Sequence, residues 1–289
     1  MKVLVTGAGG QLGQELARTA PRDCELTLLR SADCDVGDAA AVEAVVRRAR
    51  PDVVINAAAY TAVDKAESDA ANASRVNADG PRHLAAACGD DARLLHVSTD
   101  FVFDGSQGTP WQPLDGPNPQ SVYASTKLAG ETPVLAMGPQ GVVLRTSWVY
   151  SRFGNNFVKT MLKLMGSRPE LRVVADQVGA PTWAHGLAHA LWRFASKPEL
   201  SGLHHWRDAG AASWYDFAAA IAEDATAAGL LTSPVAVVPI QTKDYPTPAR
   251  RPSYSLLDCT QTWNALGLRP PHWRVQLRQM LAELKEGNG

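Results

Sequence analysis

The sequence predicts an α/β fold with a doubly wound parallel sheet and a smaller C-terminal region. Short apolar runs alternate with longer stretches of helical spacing through the first half of the chain, and this order is typical of successive βαβ units. After about residue 150 the alternation becomes irregular. We therefore expect a sheet domain over residues 1–150 and a smaller region over residues 151–289, with a soft boundary that some later segments cross to rejoin the sheet.

The individual elements follow from the local patterns. Apolar runs predict strands over 2–7, 25–29, 52–59, 93–98 and 141–150. Helical length and spacing predict helices over 11–20, 38–49, 71–88, 155–165, 183–195, 213–229 and 273–285. A further helix should contain residues 123–127 and should kink or end near Thr132, because Pro133 cannot continue its hydrogen bonds. Ligands of such a sheet bind at the carboxyl ends of the strands.

Composition excludes several classes of partner. The 289 residues carry a net charge of -1 with both signs interspersed, so nothing favours nucleic acid or an anionic membrane surface. The four cysteines are scattered without a C-x-x-C spacing, which indicates reduced thiols in a cytoplasmic protein. No apolar run approaches the roughly 20 residues that a membrane helix needs.

A glycine-rich turn follows the first predicted strand directly. Gly7, Gly10 and Gly13 have G-x-x-G-x-x-G spacing. Glycine allows backbone N–H groups to approach a pyrophosphate closely, and the next helix adds its positive N-terminal dipole. The position after a first strand predicts a Rossmann-like dinucleotide site, so residues 1–150 are expected to bind NAD(P) and residues 151–289 mainly the substrate.

The end of the second predicted strand bears on the choice of cofactor. An acidic residue there would bind the ribose hydroxyls of NAD, whereas this chain has Arg30. A guanidinium pairs with a 2′-phosphate, which favours NADPH, with NADH as the alternative. Asp35 and Val36 are candidates to flank the adenine. The small residues that end the third strand would let its backbone approach a flat ligand: Ala57, Ala58 and Ala59.

A tyrosine and a lysine four residues apart form the predicted chemical centre. Tyr123 and Lys127 lie one turn apart on the same face of a helix. We expect the lysine ammonium to lower the pKa of the tyrosine and make it a usable proton donor and acceptor. Thr99, at the end of the fourth strand, is placed to orient the same substrate oxygen.

These motifs together resemble the extended short-chain dehydrogenase/reductase superfamily. Longer strings, including NAAAYTAVDKAES, STDFVFDG, YASTKLAGE, DQVGAPT and YPTPARRPSYSLLD, resemble the dTDP-4-dehydrorhamnose reductase family from residue 2 to about 258. The resemblance implies reduction of the C4 ketone of dTDP-4-dehydro-L-rhamnose to dTDP-L-rhamnose, a precursor of cell-surface polysaccharide. It implies proton donation by Tyr123, ribose binding and pKa tuning by Lys127, and a hydrogen bond from Thr99 to O4.

The same resemblance implies roles for further residues. It assigns the pyrophosphate to Gly10, Gln11 and Leu12, the adenine side to Asp35 and Val36, and the cofactor channel to Ala59 and Thr61. It assigns the sugar to Asp100 and Trp148.

The residue after Asp100 separates this chain from related dehydratases. Those enzymes carry an Asp-Glu pair after the threonine, which supplies the acid and base for elimination of water. Here Phe101 takes the place of the glutamate. The remaining polar groups are sufficient for the transfer of a hydride and one proton, which is all that reduction of a ketone requires. We expect Phe101 to pack beside the 6-methyl face of the sugar, although a plain core role is the alternative.

Other polar residues are weaker candidates. Arg251 can bind the diphosphate of a nucleotide sugar, or serve only as a structural or solvated arginine. Asn156 opens a helix, where it can hold phosphate or act as an ordinary N-cap. His185 and His189 have helical spacing, but no accompanying ligand pattern supports a metal. Some members of the resembled family dimerise through magnesium held by acids; Glu15 matches one of these acids, and His185 replaces another. No metal is therefore expected, and the chain is expected to be a monomer or a homodimer.

Two other functions remain open at this point. An epimerase or epimerase-reductase on another nucleotide sugar would need a second proton-transfer residue on the opposite face of the ring, and the quoted motifs supply no histidine or cysteine there. A non-catalytic regulatory subunit, like that of methionine adenosyltransferase, also resembles this superfamily. The presence of Thr99, Tyr123 and Lys127 favours turnover without excluding a regulatory role.

Overall fold

The computed structural model describes residues 1–287, and six of the twelve strands in this part of the chain lie where the apolar runs predict them; the later strands were not predicted. The strands are β1 Lys2–Thr6, β2 Glu25–Leu29, β3 Val53–Asn56, β4 Arg93–Thr99, β5 Gly141–Thr146, β6 Val149–Tyr150, β7 Glu170–Val174, β8 Val178–Gly179, β9 Thr182–Trp183, β10 Gly202–His205, β11 Ala212–Ser213 and β12 Ala236–Ile240.

The helices also follow the predicted order. They are α1 Gln11–Arg18, α2 Ala39–Ala49, α3 Val63–Ala66, α4 Ala70–Ser74, α5 Gly80–Cys88, α6 Val122–Leu135, α7 Phe157–Met165, α8 Ala184–Ala195, α9 Trp214–Ala227, α10 Thr260–Leu266 and α11 Trp273–Glu286. Within residues 1–287, no helix combines the length and the apolar content that crossing a bilayer requires.

Six parallel strands form the central sheet, which confirms the predicted fold class. Their spatial order is β10-β5-β4-β3-β1-β2. The chain reverses direction across the sheet between β1 and β3, because β2 lies outside β1 and the later strands extend the other edge. Ligands of doubly wound sheets bind beyond the carboxyl ends of the strands at such a point. The glycine turn after β1 and the alanines after β3 both lie there.

Alternation along the strands places apolar side chains on both faces of this sheet. Val3 and Val5 join a core cluster with the inner faces of α1 and α8. Leu4 points to the opposite face and joins the cluster beneath α2 and α5. Burial on both faces explains why the strand sequences are continuous apolar runs rather than alternating ones.

Two later segments rejoin the sheet layer. β10 pairs with β5, and α8 packs in the same cluster as α1. The remaining C-terminal elements build a separate core from α7, α9, α11 and β7. The assignment of residues 1–150 to cofactor and 151–289 to substrate stays a proposal, and residues 288–289 lie outside the described residues.

Three local departures from the sequence prediction have physical reasons. The predicted helix over 71–88 is divided by a π-helical segment, Arg75–Asp79, which precedes a proline that cannot donate a main-chain hydrogen bond. The predicted strand 141–150 is interrupted because Trp148 has φ +45°. The helix that was expected to kink or end near Thr132 does not end there, since α6 continues through Pro133 to Leu135.

Candidate active site

The glycine turn after β1 is shaped by close backbone contacts. Gly7 has φ +71°, and a Cβ there would lie 2.5 Å from the amide nitrogen of Ala58. A Cβ on Gly13 would lie 2.4 Å from the carbonyl oxygen of Gly7. Gly10 is exposed and is the N-cap of α1. Its own N–H donates to the carbonyl oxygen of Gly7 at 2.9 Å, so an anion at this helix end would be bound by the N–H groups that follow it. Gly7 and Gly13 are therefore required by packing, and Gly10 faces outward.

Two alanine substitutions compare a glycine that close packing requires, Gly13, with a neighbouring glycine that has room for a side chain, Gly9. Gly13→Ala should lower the free energy of unfolding by about 1–3 kcal/mol, because its methyl group must displace backbone. Gly9→Ala should change it by less than about 0.5 kcal/mol, since a Cβ there would meet only the Arg30 side chain, at 3.7 Å from Cγ. Urea unfolding followed by circular dichroism measures both values, and equal stability of the two variants would contradict this account.

The residues after β2 form one side of the proposed cofactor cleft. Arg30 is exposed and its aliphatic chain runs beside Gly9. Asp35 pairs with Arg75 at 2.5 Å, and this hydrogen bond holds the pKa of the Asp35 carboxyl below its usual value. Val36 is buried. Arg75, which the sequence analysis did not identify, thus adds a second guanidinium on this side.

The alanines after β3 lie on a loop held by two asparagines. Ala57, Ala58 and Ala59 are partly exposed, and Thr61 is exposed. Asn56 ends β3 by accepting the N–H of Ala58 at 3.1 Å. Buried Asn77 accepts the N–H of Tyr60 at 2.8 Å and donates to its carbonyl at 3.1 Å.

The sequence analysis did not identify Asn77. Its only local signal is an amide just before a Gly-Pro pair inside a helical stretch, and π segments are frequent at functional sites.

Tyr123 and Lys127 lie one turn apart on α6, beside the end of β4. Ser121 caps α6 by accepting the N–H of Ala124 at 3.2 Å. Burial raises the pKa of Tyr123 to about 12; a hydrogen bond with Thr99 opposes the rise and the carboxyl of Asp100 adds to it. The expectation that Lys127 lowers this pKa is wrong for the ligand-free chain. Its ammonium group instead donates to the carbonyl oxygen of Val97 at 2.7 Å.

Asp100 is an unusual carboxyl group beside this centre. It is 2% exposed, and burial raises its pKa to about 7, against hydrogen bonds from Ser255 and Thr99. Thr99 donates to Asp100 Oδ1 at 3.2 Å. The ring of Phe101 stands edge-on to that of Tyr123, with 6.1 Å between centroids. Phe101 therefore packs against the proposed proton donor itself.

The raised pKa of Asp100 predicts a specific dependence of stability on pH. Between the unfolded value of 3.8 and the folded value of about 7, the folded chain binds the proton that the unfolded chain has lost. Stability contributed by this group is therefore present below pH 3.8 and is lost as pH rises through about 7. Asp100→Asn should flatten the stability profile across this range, measured by urea midpoints at several pH values. An unchanged slope would contradict the burial argument.

Three proposed substrate residues have partners within the protein. Trp148 stacks on Trp214 with centroids 3.6 Å apart. Asn156 caps α7 by accepting the N–H of Lys159 at 3.1 Å, and its amide donates to Gln11 Oε1 at 2.9 Å. Arg251 pairs with Asp64 at 2.8 Å. Their side chains are thus already oriented, and their roles toward substrate stay proposals.

The acid Glu15 lies beneath an arginine. Arg18 pairs with Glu15 at 2.7 Å and with Glu283 at 2.9 Å, and it contacts His185 Nδ1 at 2.8 Å. Among residues 1–287, no group of three or more His, Cys, Asp or Glu side chains has the geometry of a metal site. The Arg18 guanidinium therefore pairs with the carboxylates of both Glu15 and Glu283.

The comparisons with known proteins agree along nearly the whole chain. A family model described as the RmlD substrate binding domain matches residues 1–286. A curated dTDP-4-dehydrorhamnose reductase from Aggregatibacter actinomycetemcomitans is 40% identical over 289 residues, covering 97% of this chain and 98% of that protein.

Solved structures give the same result. A dTDP-4-dehydrorhamnose reductase from Clostridium acetobutylicum ATCC 824 superposes with a TM-score of 0.92 at 39% identity, covering 99% of this chain and 100% of that one. One from Bacillus anthracis str. Ames, in complex with NADP, gives 0.91 at 34% identity, covering 98% and 99%. The resemblance read from the motifs is confirmed, and the chain belongs to the dTDP-4-dehydrorhamnose reductase family.

Proposed function

We propose that this chain reduces the C4 ketone of dTDP-4-dehydro-L-rhamnose to dTDP-L-rhamnose, with NADPH as the reductant. The observation that carries the proposal is the placement of Thr99, Tyr123 and Lys127 at the end of β4 and on α6, with an apolar Phe101 where a dehydratase needs an acid. Family membership and the NADP complex of the Bacillus anthracis relative support it.

The residues around the glycine turn fit a dinucleotide phosphate. Gly7 and Gly13 allow the tight turn. Gly10, Gln11 and Leu12 lie at the start of α1, where the N–H groups of Gln11 and Leu12 and the helix dipole favour an anion. Leu12 is buried, so it can contribute only its backbone. The cofactor, when bound, supplies the hydride for C4. Asp35, Val36, Ala57, Ala58, Ala59 and Thr61 would line the rest of the cleft.

The chain's own residues handle the proton. With a pKa raised to about 12, Tyr123 is protonated at neutral pH, which is the form that reduction of a ketone needs. Its Oη–H bond breaks as the substrate oxygen gains the proton. Thr99 orients that oxygen and Lys127 holds the nicotinamide ribose. Asp100, Trp148, Asn156 and Arg251 would bind the sugar and diphosphate, and Phe101 would pack against the methyl group.

Arg30 provides a test of cofactor choice. Replacing Arg30 with aspartate should reverse the preference for NADPH over NADH, because a carboxylate repels a 2′-phosphate and accepts hydrogen bonds from ribose hydroxyls. The measurement is the ratio of kcat/KM for the two cofactors. Arg22→Asp, an equal charge change away from the cleft residues, is the control. An unchanged ratio in Arg30→Asp would assign the 2′-phosphate to another group.

Consumption of NADPH tests the function directly. Freshly prepared dTDP-4-dehydro-L-rhamnose should oxidise NADPH rapidly, with dTDP-L-rhamnose as product and an NADH reaction beside it. NADPH binding without oxidation would favour another nucleotide sugar first, as an epimerase-reductase would use, and a regulatory subunit second.

The cellular setting and assembly are also proposals. We place the enzyme in the cytoplasm as a monomer or homodimer that binds a nucleotide sugar. Its four cysteines, all within the described residues, form no disulfide, which suits a reducing compartment.

A further inference from the structure

A chain of four buried polar side chains crosses the sheet and ends at Lys127. Thr6 donates to Asn56 Oδ1 at 2.7 Å, and Asn56 Nδ2 lies 3.0 Å from His96 Nδ1. His96 Nε2 lies 3.4 Å from Lys127 Nζ. None of the four residues is more than 2% exposed. Buried polar groups are costly unless hydrogen-bonded, so the direction of each bond in this chain is constrained.

The backbone of Ala58 determines the direction of these bonds. Its N–H can only donate, and it donates to Asn56 Oδ1 at 3.1 Å. The amide of Asn56 must therefore turn its Nδ2 hydrogens toward His96. His96 Nδ1 then accepts a hydrogen bond and carries no proton. Burial, reinforced by the charge of Lys127, holds the pKa of His96 well below its usual value, so the ring is neutral with its single proton on Nε2.

This tautomer points a donor at the lysine. An ammonium group has only donors, whereas a neutral amine has a lone pair that can accept. The carbonyl oxygen of Val97 already takes one Nζ hydrogen at 2.7 Å. We propose that His96 is a positioning residue for Lys127: its Nε2–H, fixed by Asn56, destabilises the ammonium form relative to the neutral amine and so makes the ammonium a stronger acid.

The other charged groups near Lys127 do not cancel this destabilisation of the ammonium. Burial lowers the pKa of Lys127 to about 8, and Glu131, one turn along α6, opposes that shift. Glu131 is itself paired with Arg145 from β5 at 2.7 Å. The other titratable groups of the site are Tyr123 and Asp100. Burial raises the pKa of Tyr123, and the carboxyl of Asp100 raises it further. Beside the carbonyl oxygen of Val97, His96 is thus the titratable group of the sheet that faces Nζ.

The consequence for turnover depends on the proposed reductase function. Each reduction removes the phenolic proton of Tyr123 and leaves a phenolate. A lysine whose ammonium form is disfavoured returns a proton more readily: an Nζ–H bond breaks, the Oη–H bond of Tyr123 forms, and Lys127 regains its proton from solvent water. His96 would in this way keep the lysine an effective acid.

Nuclear magnetic resonance of the full ligand-free chain tests the proposal without any turnover. The ¹⁵N shifts of the His96 ring should show the proton on Nε2. The Lys127 Cε resonance, assigned by its loss in Lys127→Met, should report the pKa of that lysine. In His96→Gln the side-chain amide can turn its oxygen toward Nζ, so the Lys127 pKa should rise by about one unit. The alkaline limb of the pH profile of kcat should move the same way.

Two further variants keep the test decisive. Thr6→Val removes a hydroxyl from the same chain but leaves Ala58 to orient Asn56, so the His96 tautomer and the Lys127 pKa should stay unchanged. Asn56→Asp should move the ring proton to Nδ1.

A proton on Nδ1 in the wild-type chain, or an unmoved Lys127 pKa in folded His96→Gln, would overturn the proposal. Absence of turnover with the expected tautomer and shift would instead count against the proposed function alone.

Discussion

Replacing Tyr123 with phenylalanine should lower kcat by about 10²–10⁴-fold, the usual contribution of a positioned proton donor. The variant removes one oxygen atom, and the ring keeps its edge-on contact with Phe101. Without the hydroxyl, the developing alkoxide at C4 has no phenolic proton to take. Binding of NADPH should change little, since the glycine turn and Arg30 remain intact. Stopped-flow oxidation of NADPH gives the rate, and fluorescence titration gives the affinity.

A second tyrosine supplies the matched control for this experiment. Tyr150 is also buried, and its hydroxyl lies 3.5 Å from the carbonyl oxygen of Trp273. Tyr150→Phe should therefore retain kcat within about twofold, because it loses a long hydrogen bond to the backbone of α11 and no proposed proton donor. Turnover by Tyr123→Phe equal to that of Tyr150→Phe would show that another group donates the proton. Loss of NADPH binding in Tyr123→Phe would show that its effect is structural.

The largest expected effect on stability lies at the buried ion pair between α6 and β5. Arg145 Nη2 and Nε contact the two carboxylate oxygens of Glu131 at 2.7 and 2.9 Å, and Ser98 donates to Oε1 at 2.6 Å. The side chains of Arg145 and Glu131 are only 3% and 2% exposed. Arg145→Met should lower the free energy of unfolding by about 3–5 kcal/mol, because it leaves a buried carboxylate without its partner. Urea unfolding measures the change.

Two comparisons identify the cause of that loss. Arg47 and Glu43 form an exposed pair, with 75% and 66% of their side chains accessible, so Arg47→Met should cost less than about 1 kcal/mol. The double variant Arg145→Met with Glu131→Leu removes both charges and should recover much of the lost stability. A loss below about 1 kcal/mol in Arg145→Met alone, or no recovery in the double variant, would show that the unpaired carboxylate is not the cause.

The strands of the first 150 residues and most helices were predictable because their signals are local, whereas the short strands β7 to β12 were not predicted. The strand over 25–29 is found at the predicted residues, and the glycine turn lies between β1 and α1. The three departures depended on distant contacts or on single residues. Asn77 lies in the π segment and contacts the loop after β3. Trp148 adopts φ +45° and stacks on Trp214, 66 positions later in the chain. Residue preferences alone do not predict such conformations.

Electrostatic properties depended still more on the folded surroundings. The spacing of Tyr123 and Lys127 correctly placed both residues on one helix, but it suggested a lowered tyrosine pKa. The pKa is raised to about 12 because burial, which the spacing does not report, outweighs neighbouring charges. Likewise, nothing around Arg251 in the sequence indicated its pairing with Asp64, 187 residues away.

The sequence by itself determined the fold class, the strands and main helices of the first 150 residues, the glycine turn and the family, and it supplied the three residues proposed for the chemical centre. These depend on periodicity, on the backbone freedom of glycine and on motifs of neighbouring residues, all of which can be read along the chain. Only the tertiary structure decided which polar groups are buried, which are already paired and in which protonation state they lie. Burial and pairing are set by residues that are far apart in the chain, and the desolvation of Tyr123, Asp100 and Lys127 exists only once the sheet and helices have packed around them.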